Sequence, residues 1–196
     1  MSEPEVSLRA RLVDVGVGLV TREGLQALSL REIARRAGVS HGAPRRYFPT
    51  HLALLSAIAR HGFEDLAARA REAVAAGRPD ADARAQLMVF GRVYLDFART
   101  DRGMYELMFR HDLLQSNELG LRETSLPLFA ALVDLVTRAR SRSGAEPAVV
   151  AAALWANLHG IAQLWGWGSL QIAAGVDDVE PLLRAVMDAH LGPQAR

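Results

Sequence analysis

Apolar residues recur at intervals of three and four along most of this chain, the spacing that gives an α-helix one buried face. Leu8, Leu12, Val15 and Leu19 line the first such face, in a helix predicted to end near residues 23–24. Runs that alternate apolar and polar positions between turn residues, the pattern of strands, are missing. The pattern therefore predicts an all-α protein.

Two short helices joined by a tight turn are predicted next. Ser29 and Glu32 have the spacing of a capping box, in which the serine caps the helix and the glutamate bonds back to the serine amide. Gly38 suits the left-handed end of this helix, and Ser40 is predicted to cap a second helix over residues 41–47. This spacing is the signature of a helix-turn-helix, whose second helix enters a DNA major groove.

A long helix is predicted after this motif. Thr50 is expected to cap it, residues 51–75 to form it, and residues 77–80 to be the clearest linker beyond it. We place the domain boundary inside the long helix. Residues 1–55 are then a three-helix, helix-turn-helix DNA-binding domain, and residues 56–196 a helical bundle for ligand binding and dimerisation.

Charge is distributed unevenly along the chain. Residues 1–60 contain nine arginines and five acidic residues, whereas residues 61–196 contain fourteen arginines and seventeen acidic residues. Within residues 31–60, six arginines are opposed only by Glu32. Arginine supplies all 23 basic residues of the chain, so its general use carries little information. The local cluster is what indicates a polyanionic partner.

The segment 28–40, with Gly42, residues 47–49 and residues 54–55, resembles the TetR family of transcriptional regulators. The resemblance covers about residues 8–60 and implies an amino-terminal helix-turn-helix domain followed by an all-helical domain. Residues 154–160, Leu-Trp-Ala-Asn-Leu-His-Gly, also resemble the Trp…His-Gly signature of one carboxy-terminal subgroup of the family.

The recognition helix departs from the family pattern. Ala43-Pro44-Arg45 stands where the family usually has Thr-Leu-Tyr, Tyr47 where it often has histidine, and His51 where it often has lysine. The replaced threonine and tyrosine ordinarily touch phosphates, and Arg45 and Arg46 can replace those contacts electrostatically. Pro44 lies at the position that normally packs inward, so we interpret it as structural.

The resemblance assigns DNA contacts to the start of the second helix, the recognition helix and the start of the next helix. Gly42 and Ala43 allow close approach to base edges, Arg45 and Arg46 suit guanine or phosphate, and Thr50 presents a helix N-terminus. The predicted DNA-binding residues are Arg31, Ser40, His41, Gly42, Ala43, Arg45, Arg46, Tyr47, Thr50 and His51. We interpret the neighbouring Arg35 and Arg36 as a solvated helix face.

The second half of the chain carries a candidate dimer surface. A helix predicted over residues 147–165 is apolar almost all round, which implies burial on more than one side, and a last helix is predicted over residues 179–191. Two such helices per subunit can form a four-helix bundle between subunits, as in the family, and palindromic operators require such a homodimer.

A sensor pocket for a small hydrophobic effector is also predicted in the second half. Flexible methionines and amphipathic rings suit an adaptable apolar pocket, although core packing or the dimer interface is the competing interpretation for each. The predicted ligand-binding residues are Tyr94, Met104, Met108, Phe129, Trp155 and His159.

Several functions are not expected. The six histidines show no metal-ligand spacing, a phosphate loop and a nucleophile elbow are absent, and cysteine is absent, so we expect neither catalysis nor a cofactor or metal. The thirty uncharged residues 147–176 could span a bilayer by length, but Asn157, His159, Gln163 and Gln171 interrupt them.

Taken together, the helix-turn-helix, the family resemblance and the predicted pocket lead us to expect a cytoplasmic, ligand-responsive repressor. Two alternatives are a helical protein-interaction module and an architectural DNA binder without a ligand.

Overall fold

The computed structural model describes residues 7–77, 82–139 and 144–193. These residues contain helices and no strand, which confirms the predicted all-α fold. The α-helices of the described residues are α1 (Leu8–Glu23), α2 (Leu30–Arg36), α3 (His51–Ala76), α4 (Ala83–Thr100), α5 (Arg102–Met108), α6 (His111–Ser116), α7 (Leu121–Arg138), α8 (Pro147–Gly166), α9 (Ser169–Ala174) and α10 (Glu180–Leu191). Shorter 3₁₀ segments lie at Leu25–Ala27, Ala43–Arg46 and Glu118–Gly120.

Helix α1 forms as its apolar spacing predicts and packs unusually closely against its neighbours. Ser7 caps it by accepting a hydrogen bond from the amide of Ala10, and it ends at Glu23, as predicted. A Cβ at Gly16 would lie 2.3 Å from a side-chain carbon of Ile58 on α3. A Cβ at Gly103 on α5 would lie 2.4 Å from the carbonyl oxygen of Val20. Glycine therefore allows α3 and α5 to approach α1.

Helix α2 is capped as predicted at only one of the two points of a capping box. The Ser29 hydroxyl accepts a hydrogen bond from the Glu32 amide at 3.1 Å. The Glu32 carboxylate instead accepts hydrogen bonds from Arg35 and Arg36, so the return bond to the serine amide was wrongly predicted. Charged donors one turn along the helix form stronger bonds with a carboxylate than a neutral amide does. Gly38 follows the helix with a φ of 67°, as predicted.

The predicted recognition helix over residues 41–47 is shorter and tighter than expected. Only Ala43–Arg46 is helical, as a 3₁₀ turn, and no side chain caps it, so Ser40 is not the predicted side-chain N-cap. Pro44 supplies no amide for an α-type bond to residue 40, and a 3₁₀ turn needs fewer such bonds. Pro44 is buried, as its structural interpretation predicted.

The long helix α3 begins where the sequence places it. The Thr50 hydroxyl accepts the amide of Ala53 at 2.9 Å and so forms the predicted N-cap. Phe48, Leu54 and Ile58 are fully buried, and Ile58 lies close to Gly16 of α1 beside Ile33 of α2. The predicted linker 77–80 lies outside the described residues apart from Gly77.

The described chain separates into two compact units. The first unit contains the described residues up to Asp65 together with Asp101–Ser125. The second unit contains the described residues of Leu66–Thr100 and those from Leu126 onwards. This division also falls inside α3, ten residues after the boundary that we predict between the DNA-binding and ligand-binding domains. The functional boundary at residues 55 and 56 stays a prediction.

In the second unit, α4, α8 and α10 pack together. A Cβ at Gly91 of α4 would lie 2.6 Å from a methyl group of Leu183 on α10, so glycine sets the close approach of these helices. Among the described helices, Pro147–Gly166 alone is long and apolar enough to cross a membrane by length and composition, and a third of its apolar window is buried. Core helices of soluble proteins meet the same criterion, so this helix is weak evidence of a membrane span.

Candidate DNA interface and effector cluster

Three arginines of the helix-turn-helix have no partner among the described residues. Arg31 lies in the first turn of α2, and Arg45 and Arg46 lie at the end of the 3₁₀ recognition turn. All three are exposed, and within the part of the chain that the structure describes none forms an ion pair or a side-chain hydrogen bond. Guanidinium groups in this condition can make bidentate contacts with phosphate or guanine without first breaking another bond.

Arg35 and Arg36 on the same helix are in the opposite condition. Arg35 donates two hydrogen bonds to Glu32, at 2.8 and 2.6 Å. Arg36 bonds Glu32 at 2.6 Å and also reaches Glu23 of α1 at 2.5 Å. The hydrogen bonds from Arg35 and then Arg36 lower the pKa of Glu32 from its ordinary 4.5 to about 2. Arg36 therefore connects α2 to α1, whereas Arg35 is held within α2 by Glu32.

The residues that lead into the recognition turn are open to solvent. Ser40, His41 and Gly42 are exposed, whereas Ala43 is half-buried. A Cβ placed on Gly42 meets no atom within 4 Å, so the space directly beside this residue is open. Ser40, His41 and Gly42 thus lead directly into the 3₁₀ turn Ala43–Arg46, which carries Arg45 and Arg46.

Tyr47, Thr50 and His51 lie at the start of α3. The Tyr47 side chain is 41% exposed although tyrosine carries a large ring. Burial, and then the charge of Arg110, lower the pKa of His51 below its ordinary 6.5. The Thr50 hydroxyl donates to the Glu118 carboxylate at 2.5 Å. Sequence reasoning missed Glu118, because 68 residues separate it from Thr50.

Four of the six predicted effector residues meet in the second unit. The Tyr94 hydroxyl oxygen lies 2.9 Å from Nδ1 of His159 and accepts a hydrogen bond from Trp155 Nε1 at 3.3 Å. The Trp155 ring also packs edge to face on Phe129, with ring centroids 6.3 Å apart. Burial lowers the pKa of His159 below 6.5. The group combines apolar rings with a neutral hydrogen-bonding centre.

Met104 and Met108, the other two predicted effector residues, belong to the first unit. Both are buried on α5, where a Cβ on Gly62 of α3 would lie 2.7 Å from Met104 and 2.6 Å from Met108. Here the methionines pack against a helix backbone in the core. This environment agrees with core packing, the interpretation that competes with effector binding for these two methionines. Their role in effector binding stays a prediction.

A cavity that the sequence did not predict lies in the second unit. Its volume is about 370 Å³, and its lining includes Val89, Arg84, Arg92 and Arg184. Arg92 and Arg184 both bond Glu180, and Arg84 bonds Asp188 and the carbonyl of Gly192. Partners within the protein therefore already occupy these guanidinium groups. Among the described residues, no three His, Cys, Asp or Glu side chains are grouped so as to hold a metal ion.

Comparisons with known proteins match both halves of the chain. Residues 12–58 match the family described as "Bacterial regulatory proteins, tetR family", and residues 87–190 match "Tetracyclin repressor-like, C-terminal domain". The fold and the helix-turn-helix define a bacterial transcriptional regulator. The chain belongs to the TetR family.

Curated relatives include both a transcriptional repressor and a transcriptional activator. The HTH-type transcriptional repressor KstR of Mycolicibacterium smegmatis is 34% identical over 79 residues, 40% of this chain and 39% of the repressor. The HTH-type transcriptional activator FasR of the same organism is 24% identical over 164 residues, 83% of this chain and 74% of the activator. The chain thus spans about two-fifths of the KstR relative and most of the FasR relative.

Solved structures are similar over nearly the whole chain. A protein of unknown function from Rhodococcus sp. RHA1 has a TM-score of 0.78 at 30% identity, with 96% of each chain covered. The multidrug binding protein EbrR, solved in complex with imidazole, has a TM-score of 0.64 at 24% identity, with 97% of this chain and 98% of EbrR covered. At that identity the second likeness is one of fold.

Proposed function

We propose that this protein is a homodimeric transcriptional repressor that binds a palindromic DNA operator in the cytoplasm and leaves it when a small hydrophobic ligand binds. The observation that carries the proposal is the set of exposed guanidinium groups at Arg31, Arg45 and Arg46 on the helix-turn-helix, which pair with no residue that the structure describes. The proposed DNA contacts are Arg31, Ser40, His41, Gly42, Ala43, Arg45, Arg46, Tyr47, Thr50 and His51.

The test of DNA recognition is selection of bound fragments from sheared genomic DNA of the host. An enriched palindrome whose binding weakens steeply with salt supports a dimeric regulator that contacts DNA phosphates. No enriched sequence at any salt concentration contradicts it. Weak binding without sequence preference favours the architectural alternative, and binding to protein partners alone favours the interaction module.

Homodimerisation is proposed through α8 and α10, which pack together within one subunit. Val149, Ala152, Ala156 and Gly160 are spaced as one face of α8, and the first three are exposed, Val149 to 61%. A Cβ on Gly160 meets no atom within 4 Å. Small residues along an exposed apolar face allow a partner helix to approach closely.

The dimer is tested by sedimentation velocity. Ala156→Arg places a charge in the middle of the proposed interface and should convert the dimer to a monomer. Ala131→Arg on α7, which is also exposed, is the matched control and should leave the dimer intact. A dimer that survives Ala156→Arg contradicts this interface, and a monomeric wild-type protein contradicts dimerisation itself.

The effector is proposed to bind beside the Tyr94, Trp155 and His159 group, against Phe129. Rings bind the apolar part of a ligand, and the neutral imidazole and hydroxyl can orient a polar atom. A ligand that prefers the non-binding form by a hundredfold, about 2.7 kcal/mol, lowers operator affinity by a comparable factor. We expect Tyr94→Phe to weaken binding of effectors with a polar atom, measured by calorimetry. Unchanged operator affinity with every bound ligand contradicts the release mechanism.

A further inference from the structure

A carboxylate occupies the amino end of α3, where the DNA contact of Thr50 is proposed. Glu118 lies at the start of the 3₁₀ turn Glu118–Gly120, and its Oε2 accepts a hydrogen bond from the Thr50 hydroxyl at 2.5 Å. The same hydroxyl oxygen accepts the Ala53 amide at 2.9 Å, which caps α3. All three residues belong to the first unit.

The Thr50 hydroxyl can donate a hydrogen bond to only one acceptor at a time. A threonine hydroxyl has one hydrogen to donate, and here Glu118 receives it, so it is not available to a phosphate oxygen. A helix N-terminus attracts either anion, but a carboxylate and a phosphodiester at the same point repel each other. Glu118 and DNA therefore compete for one position.

We propose that Glu118 is an internal competitor for a DNA phosphate at the amino end of α3, and that it lowers the affinity of the protein for every duplex. This inference rests on the proposed DNA-binding function. Because the competition concerns phosphate alone, its effect is the same for preferred and unrelated sequences.

The contact is built so that DNA can displace the carboxylate. Among the described residues, the Thr50 hydroxyl is the single side-chain partner of Glu118, and no arginine pairs with it. A single hydroxyl binds a carboxylate more weakly than the two parallel hydrogen bonds of an arginine do. An acid placed there for stability alone would gain more from a guanidinium partner.

The turn that carries Glu118 is held in an uncommon backbone conformation. Asn117 and Leu119, on either side, have φ values of 51° and 57°; asparagine tolerates this left-handed region, but leucine rarely adopts it. Arg60 of α3 donates to the Leu119 carbonyl, and Asn117 Oδ1 accepts the amide of Arg122 at 2.7 Å. These bonds maintain the turn at the cost of local strain and so keep the acid at the helix end.

The experiment compares Glu118→Gln with Glu123→Gln in the full-length protein. Glu123 is an exposed acid in the first turn of α7 that forms no ion pair or hydrogen bond within the described chain, so its variant matches the change in charge without the contact. Fluorescence anisotropy measures binding to a 30-base-pair duplex of mixed sequence and to the genomically selected duplex, between about 50 and 200 mM salt.

We expect Glu118→Gln to bind both duplexes about three- to fivefold more tightly than wild type at low salt. The slope of log affinity against log salt should steepen by about one. Glu123→Gln should bind as wild type does. Thermal unfolding of each variant accompanies the measurement. Glu118→Ala removes the acceptor of the Thr50 hydrogen as well as the charge, is expected to gain at least as much affinity, and replaces the glutamine variant if that variant fails to fold.

The other outcomes overturn the inference in distinguishable ways. If wild type binds DNA and Glu118→Gln gains nothing, or Glu123→Gln gains as much, the competition is wrong and the proposed function stands. A gain restricted to the selected duplex indicates base readout and also overturns it. If neither wild type nor Glu118→Gln binds any duplex at low salt, the inference and the proposed function both fail.

Discussion

The two units of this protein use arginine differently. In the first unit, Arg31, Arg45 and Arg46 are exposed and have no partner among the described residues. In the second unit, the arginines of α4, α7 and α10 each form an ion pair with an acidic residue; these are Arg84, Arg92, Arg99, Arg138 and Arg184. Arginine thus stays available to a polyanion at these three positions of the helix-turn-helix, whereas acidic residues bind the arginines of these helices in the second unit.

The difference teaches that basic content alone does not define a DNA-binding surface. Arg35 and Arg36 belong to the predicted basic cluster, yet Glu23 and Glu32 neutralise them. A paired arginine must break a charged hydrogen bond before it can hold a phosphate, whereas an unpaired one exchanges only water and counterions. The surface for a polyanion is therefore smaller than the cluster in the sequence.

The strongest test of this comparison removes one unpaired arginine and, separately, one paired arginine, and compares the loss of DNA affinity. We expect Arg46→Ala to lower operator affinity by about ten- to a hundredfold, because it removes an unpaired group that is free to contact a base or phosphate. Arg35→Ala removes the same charge from a paired side chain and should lower affinity by less than about threefold. Anisotropy titrations on the selected operator measure both, and equal losses would contradict the distinction.

In the second unit, arginine removal should affect stability. Arg84 is largely buried and bonds both Asp188 and the Gly192 carbonyl, so Arg84→Ala should lower the free energy of unfolding by about 1 kcal/mol. Arg99→Ala, which breaks an exposed pair within one helix, should cost less than about 0.5 kcal/mol. Urea unfolding measures both values. A loss of DNA binding by the folded Arg84→Ala variant would contradict the division of roles.

Glu32→Gln sharpens the comparison because it removes the acid that Arg35 and Arg36 share. Because the pKa of Glu32 in the folded protein is about 2 and its ordinary value is 4.5, its stabilising contribution is present above pH 4.5 and is lost as the pH falls through about 2. The variant should lose stability at neutral pH and lack that acid-dependent decrease. It should also bind mixed DNA slightly more tightly, since Arg35 loses its acidic partner, whereas Arg36 keeps its ion pair with Glu23. Thermal unfolding from pH 6 to 2 and anisotropy provide the two measurements.

The smallest expected effect concerns His159. Burial lowers its pKa below 6.5, so the folded protein resists protonation and this residue's contribution to stability is present above pH 6.5 and lost as the pH falls through the lowered value. An NMR titration of the imidazole should give a pKa below 6.5, and Tyr94→Phe should change it because the 2.9 Å contact is removed. A pKa above 6.5 in the wild type would contradict the buried, neutral ring.

Much of the fold could be predicted because it depends on neighbours in sequence. The caps at Ser29 and Thr50 follow from hydroxyls three residues before the amides that they accept, and both are present in the structure. The bounds of α3 and α8 follow from uninterrupted helical spacing between breaking residues. The length of the recognition helix was wrongly predicted because Pro44 removes a backbone donor within it, and the balance between α and 3₁₀ turns depends on the packing around it.

The chain by itself determined the helical class, the family resemblance and the position of the basic cluster, because composition and local periodicity carry that information. Only the tertiary structure decided which arginines remain unpaired, that Met104 and Met108 pack in the first unit, and that Glu118 reaches Thr50. The physical reason is that pairing of charges depends on distance in space. Helix caps join residues three apart, whereas the Glu118 contact joins residues 68 apart, and no local pattern encodes it.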